Sequence, residues 1–227
     1  MEAGVFTASE AGTPQGGLVS PVLANIYLHY VLDLWFEKRY VRTCKGQGYL
    51  VRYADDFVAC FTHEADARRF MDELTERLAV FGLEVEPSKT CLLRFGSRAA
   101  SDCHKDGSKR PSTFDFLGFT HYVGKSRRGR FVLGRRSQRT RIAKKLKEVS
   151  DRLSALRVKG GRAMMDYAKR HLRGHLAYYA VSGNARSIRT YAYRISRLLF
   201  KRLNQRSQRR SVAWDRFGKI LSGWMPS

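Results

Sequence analysis

Acidic residues are scarce in this chain, and so are proline, cysteine and long apolar runs. The 227 residues include 20 Asp and Glu against 43 Lys and Arg, with 5 Pro and 4 Cys. The sequence contains no apolar stretch long enough to span a bilayer, no signal peptide and no lipidation motif. These absences predict a soluble, cytoplasmic protein that has no membrane partner.

Cysteine and histidine offer little for metal binding. The cysteines are Cys44, Cys60, Cys91 and Cys103, and their spacing matches no zinc or disulfide pattern, so we expect reduced thiols. His171 and His175 stand four residues apart on a predicted helix, a spacing that can hold zinc. No third or fourth ligand follows nearby in the sequence, which argues against a metal site at these two residues.

Basic charge is concentrated in the C-terminal half. Residues 1–96 hold 10 basic and 13 acidic residues, whereas residues 97–227 hold 33 basic and 7 acidic residues. The second segment has a net charge of +26 within the formal +23 of the whole chain. Such a field attracts a polyanion and provides phosphate contacts, so the composition favours nucleic acid over an acidic membrane surface as the partner.

Two adjacent carboxylates interrupt an apolar, strand-like segment. Tyr53, Ala54, Asp55 and Asp56 lie between runs that are rich in aromatic and β-branched residues, a pattern that predicts a β-hairpin with these four residues at its tip. A solvated turn that uses Asp for its turn propensity is one explanation. The other is a pair of divalent cations, because two-metal phosphoryl transfer needs neighbouring carboxylates.

Helix and strand patterns alternate in the N-terminal half. We predict a largely buried helix from Ser20 to about Glu37, then the hairpin of residues 49–61 and an amphipathic helix that ends at Gly82. Two further strands are expected at residues 83–86 and 90–95. The pattern indicates an α+β fold around one mostly antiparallel sheet.

The C-terminal half changes from loop and hairpin to helix. A mobile loop is expected at residues 97–112, and a short hairpin at residues 114–119 and 130–133. Helices are predicted at about 138–157, 163–181 and 186–205, with a weaker one at 211–222. On the third of these helices, an apolar stripe is formed by Ile188, Tyr191, Ile195 and Leu198. The basic side chains around it are Arg186, Arg189, Arg194, Arg197 and Lys201. A solvated face is the plain explanation, but the charge excess favours RNA binding.

Four ordered segments resemble bacterial group II intron reverse transcriptases. They are GTPQGGLVSPVLANIYL at residues 12–28, YADD at 53–56, FGLEVEPSKT at 81–90 and FDFLGF at 114–119. The basic tail, including LRGHLAYYAVSGN at residues 172–184, resembles the thumb, or maturase, domain of that family. The similarity covers nearly the whole chain from about Thr7.

The resemblance implies a partial right-hand polymerase palm followed by an all-α basic thumb. It places the palm with its catalytic hairpin at residues 1–96, a connecting loop and primer-grip hairpin at 97–136, and the thumb at 137–227. It also implies RNA-templated DNA synthesis from a DNA primer, with a role in folding and splicing a mobile intron RNA. The match begins partway through the palm, so the fingers and the first catalytic Asp of the family have no counterpart. We therefore expect the chain to be inactive alone and to need a fingers-containing N-terminal fragment.

The resemblance also assigns roles to individual residues. Asp55 and Asp56 would be catalytic and would hold two Mg²⁺ ions, with Mn²⁺ as a substitute, to activate a primer 3′-hydroxyl and neutralise the leaving pyrophosphate. The nucleotide site would comprise Gln15, Gly16, Tyr53, Ala54 and Lys89. The primer grip would comprise Phe116, Leu117 and Gly118. Each of these roles has a plainer alternative. Gln15 could belong to an ordinary turn, Lys89 could be a surface lysine, and Phe116 could simply pack in the core.

Two classes of function stay open from the sequence. The first is an enzyme, a group II intron reverse transcriptase present as a partial chain. The second is an RNA-binding maturase remnant, or splicing cofactor, that does not polymerise. Retron and diversity-generating reverse transcriptases fit less well, because the helical tail matches the intron class.

Overall fold

The computed structural model describes residues 19–105, 107, 110–205 and 212–222. The chain divides into two compact units, Met1–Leu93 and Arg94–Ser227. The secondary structure is mixed, with small antiparallel sheets and a C-terminal set of helices. This confirms the α+β prediction in its general form. Within the described residues, no helix is both long and apolar enough to cross a membrane.

The N-terminal unit combines helices with one hairpin. Its helices and strands are α1 (Ser20–Leu28), β1 (Gly48–Tyr53), β2 (Asp56–Phe61) and α2 (Glu64–Val80). After α1 the chain stays helical through two π-type segments, His29–Asp33 and Phe36–Tyr40, and a 3₁₀ turn, Val41–Thr43. The helical region is thus longer than the sequence predicted. Pro21 occupies the first turn of α1, where its missing N–H costs nothing.

One aromatic cluster forms the core of the N-terminal unit. Its buried members come from the π-type segments and from one face of α2: Val31, Leu32, Phe36, Tyr40, Phe70, Leu74 and Leu78. On α2 the buried positions recur four residues apart, which places them on one face of the helix. The inner side chains of the hairpin, such as Leu50 and Phe61, pack against the same cluster.

The predicted burial of the first helix is wrong for its first half. Within α1 no residue is buried, and Val22, Leu23 and Ile26 each expose more than half of their surface. Burial begins only at Val31, where the helix reaches α2. The apolar residues of α1 were predicted to be buried, but none of the described residues covers them.

The strands predicted at residues 83–86 and 90–95 are also wrong. The N-terminal sheet has two strands, β1 and β2, and neither segment pairs with them. Leu83 and Val85 alternate with exposed residues because they pack on the aromatic cluster from one side. Alternation of apolar and polar residues indicates that one face of a segment is buried. It does not require that the segment forms hydrogen bonds with a neighbouring strand.

The C-terminal unit contains a three-stranded antiparallel sheet and a helical bundle. Its helices and strands are α3 (Ala99–Lys105), β3 (Phe114–Phe116), β4 (Phe119–Lys125), β5 (Phe131–Ser137), α4 (Arg139–Ala155), α5 (Gly161–Tyr179), α6 (Ala185–Asn204) and α7 (Trp214–Ser222). The strand order is β3-β4-β5. The predicted loop at residues 97–112 is wrong in part, because it contains α3. The four helices predicted after residue 137 are confirmed as α4 to α7, with ends that agree within a few residues.

Apolar stripes of four helices form the bundle core. The buried residues are Val149, Leu153, Met164, Ala168, Leu172, Tyr191, Ile195, Leu199, Phe217 and Leu221. Tyr191 and Ile195, which the sequence placed on the apolar stripe of α6, are buried, but the next buried apolar position is Leu199 and the predicted Leu198 is only partly buried. The basic residues proposed for RNA binding occupy the opposite, exposed face of the helix.

Candidate active site

The two adjacent carboxylates lie at the tip of the β1–β2 hairpin. Tyr53 pairs with Asp56, so Ala54 and Asp55 form a two-residue loop. Ala54 has a φ of 54°, the left-handed conformation that tight hairpin turns demand at their first loop position. All four residues of the tip are exposed. The tip therefore presents two carboxylates directly to solvent.

Arg52 holds this tip against the preceding helix. Its Nη1 donates to the Ala54 carbonyl at 2.8 Å and to Oδ1 of Asn25 at 2.9 Å. Its Nε and Nη2 donate to the two carboxylate oxygens of Asp33 at 2.8 and 2.6 Å. The hydrogen bonds from Arg52 hold the pKa of Asp33 below its usual value, although partial burial opposes this. One guanidinium thus ties the strained loop residue to two positions on the helix.

The hairpin tip offers ligands of the type that Mg²⁺ prefers, but too few of them for a complete site. Carboxylate oxygens are the ligands that Mg²⁺ prefers. Among the described residues, no group of three His, Cys, Asp or Glu side chains could hold a metal ion. Asp55 and Asp56 therefore supply two carboxylates, and the described residues do not complete a site for two ions.

The other residues assigned to the nucleotide site lie apart from the tip in sequence. Lys89 is exposed in the turn that follows Pro87, and its amide donates to the Glu86 carbonyl at 3.1 Å. The Ser88 hydroxyl and amide lower the pKa of Glu86, and the charge of Lys89 adds a smaller effect. Gln15 and Gly16 lie outside the described residues.

The predicted primer grip is a tight turn between β3 and β4. Leu117 and Gly118 both have positive φ, 49° and 77°, the combination of a type I′ hairpin turn. The Tyr178 hydroxyl donates to the Leu117 carbonyl at 2.9 Å, and the Gln138 amide donates to the Gly118 carbonyl at 3.0 Å. The turn is therefore fastened to the bundle through its own backbone.

Gly118 is required at this turn for space as well as for conformation. A Cβ at Gly118 would lie 2.9 Å from the Tyr179 hydroxyl and 3.3 Å from the Arg141 guanidinium. Tyr179 itself packs on Phe119, with ring centroids 5.2 Å apart. The motif that the sequence assigned to the primer grip thus places its backbone directly on the first helices of the bundle.

A buried asparagine fixes the end of the sheet to the helices. Asn184 is 1% exposed, and its carbonyl oxygen accepts a hydrogen bond from the Ser137 amide at 3.0 Å. Its amide group donates to the Ser137 hydroxyl and to the Tyr179 carbonyl, both at 2.9 Å. This side chain joins the end of β5 to the connection between α5 and α6. The sequence suggested only a helix break at this position.

The two histidines of α5 serve packing. His171 lies 2.7 Å from the Tyr191 hydroxyl through Nε2. The His175 ring stacks between Tyr179 and Tyr191, at centroid distances of 4.5 and 3.8 Å. Burial lowers the pKa of His175 to about 4, with a smaller effect from His171. Both rings are therefore neutral parts of the bundle.

The structure thus combines a solvent-facing carboxylate pair on a hairpin with a strongly basic set of helices, an arrangement compatible with a protein that acts on nucleic acid. Residues 2–121 match the family model of the reverse transcriptases (RNA-dependent DNA polymerases). The match covers more than half of the 227 residues, and the chain belongs to this family of RNA-directed DNA polymerases. Comparison with curated proteins finds no relative that matches the chain.

Proposed function

We propose that this chain forms the catalytic hairpin and thumb of a reverse transcriptase of the group II intron type. The observation that carries the proposal is the exposed Asp55–Asp56 tip, braced by Arg52, in a chain that belongs to the reverse transcriptase family. Residues 1–96 would be palm, 97–136 the connection with the primer grip, and 137–227 the thumb. RNA and a DNA primer are the partners that this assignment requires.

The residues of the tip would bind metal and position the primer. Asp55 and Asp56 would hold Mg²⁺, with Mn²⁺ as a substitute, and the bound ions supply charge neutralisation for phosphoryl transfer. Tyr53 and Ala54 would support the primer terminus and the incoming nucleotide. Gln15, Gly16 and Lys89 would complete the nucleotide pocket. The family membership supports these roles, and the exposure of the tip is compatible with them.

The primer grip and the basic helix would hold nucleic acid on the C-terminal unit. Phe116, Leu117 and Gly118 would position the primer strand through the turn between β3 and β4. The exposed face of α6 would contact RNA phosphates through Arg186, Arg189, Arg194, Arg197 and Lys201. Phosphate contacts of this kind position a nucleic acid without reading its sequence. A splicing role toward an intron RNA would use the same surface.

We infer that residues 1–227 do not polymerise alone. Two carboxylates leave most of the ligand positions of two octahedral ions unfilled, and the described residues provide no third carboxylate beside them. In this proposal, a cytoplasmic polypeptide that contains a fingers domain supplies the third carboxylate. The same observation favours a second candidate, in which the chain binds and folds RNA as a maturase or splicing cofactor without polymerising.

Primer extension on an RNA template with Mg²⁺ tests both candidates. The chain alone should extend a primer at background level. Addition of a family-like N-terminal half should restore synthesis, and Asp55→Ala or Asp56→Ala should abolish it. Robust extension by the chain alone would overturn the inferred dependence. Activity of the Asp variants in the reconstituted complex would overturn the catalytic assignment, and RNA binding without any restored synthesis would favour the second candidate.

A further inference from the structure

An open groove runs along α6 in the C-terminal unit, with α4 on one side and the beginning of α7 on the other. It has a volume of about 1100 Å³. Four charged residues line the described part of this groove, and all four are basic: Lys147, Arg194, Arg197 and Lys201. Their side chains are exposed. The groove therefore presents a concentrated positive field to any molecule that enters it.

The same groove contains two solvent-exposed aromatic rings. Tyr193 is 56% exposed and Trp214 is 38% exposed. Their ring centroids lie 6.4 Å apart at an interplanar angle of 76°, so the two rings form a corner. Neither ring is among the buried residues of the bundle core, and both keep a large part of their surface open to the groove.

Neighbouring side chains hold the Trp214 ring in place. Phe200 meets it edge-on at a centroid distance of 4.8 Å, and Phe217 packs at 5.6 Å. The Arg197 guanidinium lies 5.6 Å from the Trp214 ring centroid, within cation–π range. The ring is thus oriented before any ligand arrives, and a basic group is positioned next to it.

The spacing of the groove side chains along α6 suits a strand of nucleic acid better than a single small anion. Tyr193, Arg197 and Lys201 follow one another at intervals of four residues, so they lie in a row on one helix face. Eight residues of helix span about 12 Å. A row of that length meets consecutive phosphates of a chain, with the aromatic corner at one end.

We propose that this groove binds an unpaired stretch of nucleic acid, with its phosphates on the four basic side chains and one base stacked in the Tyr193–Trp214 corner. Positive grooves that contain aromatic rings bind single strands in this way, because every base has a flat face. A duplex hides those faces within its own stack and would gain only the phosphate contacts. The inference rests on the nucleic-acid binding proposed above and names its single-stranded part.

Fluorescence anisotropy with the full chain tests the groove. The probes are oligouridine, oligothymidine, a duplex with the same number of phosphates and an abasic strand of equal charge. Tyr193→Leu should weaken binding of the two base-carrying single strands about 5- to 150-fold, the range that loss of one stacked base gives. Its salt dependence should stay unchanged, because no charge is removed. Binding of the duplex and of the abasic strand should not change.

Two variants control for folding and for the loss of any exposed ring. Tyr193→Phe keeps the ring and should retain wild-type affinity. Phe131→Leu removes an exposed aromatic residue from β5 of the same unit and should have no effect. Helicity by circular dichroism should be equal in all variants.

If Tyr193→Leu changes single-strand affinity less than about twofold while the chain still binds RNA in a salt-dependent way, the groove proposal is overturned and the proposed function stands. Equal weakening of duplex and single strand would also overturn it. If the wild-type chain binds none of the probes, the proposed RNA-binding function fails as well.

Discussion

Arg52 and Asp33 form a two-pronged ion pair across 19 residues of sequence, with N–O distances of 2.8 and 2.6 Å. The Arg52 side chain is 12% exposed and the Asp33 side chain 29% exposed. The same guanidinium donates to the carbonyl of Ala54. The conformation of the carboxylate-bearing tip is therefore coupled to the π-type segment His29–Asp33.

Arg52→Ala should lower the free energy of unfolding by about 1–3 kcal/mol, because it leaves the Asp33 carboxylate and the Ala54 carbonyl without their shared charged donor. Arg52→Lys should restore only part of the loss, since an ammonium group cannot reproduce the planar fork. Urea unfolding followed by circular dichroism measures both. In the reconstituted polymerase, both variants should also slow primer extension.

The matched control for Arg52 is Arg68→Ala. Arg68 makes an exposed ion pair with Glu64 at 2.7 Å within α2. Exposed pairs of this kind contribute about 0–1 kcal/mol, so the variant should unfold almost as the wild type does. Equal losses for Arg52→Ala and Arg68→Ala would show that the Arg52 contacts do not stabilise the tip.

The turn between β3 and β4 offers a comparison between two glycines. Gly118→Ala should destabilise more than Gly129→Ala, although φ is positive at both positions, 77° and 75°. Each substitution costs about 1–2 kcal/mol of backbone strain. Only Gly118 adds a collision, because a Cβ there meets the Tyr179 hydroxyl at 2.9 Å, whereas none of the described atoms lies within 4 Å of a Cβ at Gly129. Urea midpoints that shift equally would refute the packing part of this argument.

The local elements of the fold were predictable from the sequence, and the long-range ones were not. The stripe of Tyr191 and Ile195 predicted the buried face of α6, and the apolar runs around Asp55 predicted the hairpin. Both signals depend on residues close together in the chain. Arg52 and Asn184 were missed because their partners lie 19 and 47 residues away.

The errors have a common physical origin. The apolar residues in α1 and at residues 83–95 predict burial, but they do not identify the element that packs against them. In α1 the described residues leave that surface exposed, and at Leu83 the aromatic cluster covers it without strand pairing. The sequence pattern predicted the hairpin that carries Asp55 and Asp56, but the Arg52 contacts that hold this hairpin were visible only in the structure.

Acidification should destabilise the C-terminal bundle through His175. Burial lowers its pKa to about 4 from an ordinary value of 6.5, so the unfolded state binds more protons between these two values. Its contribution to stability is therefore full above about pH 6.5 and falls as the pH decreases toward 4. Between about pH 7.5 and 5 the loss should be about 2 kcal/mol from this ring.

His175→Phe should remove most of that pH dependence, because Phe keeps the stacking between Tyr179 and Tyr191 and cannot be protonated. Urea unfolding of the wild type and the variant at the two pH values measures the difference. His63→Phe, at an exposed position in the N-terminal unit, is the control and should leave the pH dependence unchanged. An unaltered pH dependence in His175→Phe would exclude His175 as its source.

The charge of α6 makes a prediction about salt. Arg189, Arg194 and Arg197 are exposed on the face opposite the buried stripe, so their replacement by Ala should leave the bundle folded. If each neutralises one RNA phosphate, the triple variant should flatten the log–log dependence of affinity on salt by about 2 units for a single strand and about 3 units for a duplex. Single-stranded and duplex RNA should both respond, because phosphate contacts do not depend on pairing. The measurement is anisotropy across a salt series.

The control for this triple variant removes the same charge from the other unit. Lys38, Arg39 and Arg42 are exposed near the end of the long helical region of the N-terminal unit, and their replacement by Ala should change the salt dependence little. Equal flattening by the two triple variants would mean that net charge alone governs binding. An unchanged slope in a folded Arg189, Arg194 and Arg197 variant would make this face of α6 a solvated surface, and the thumb assignment would lose its main physical support.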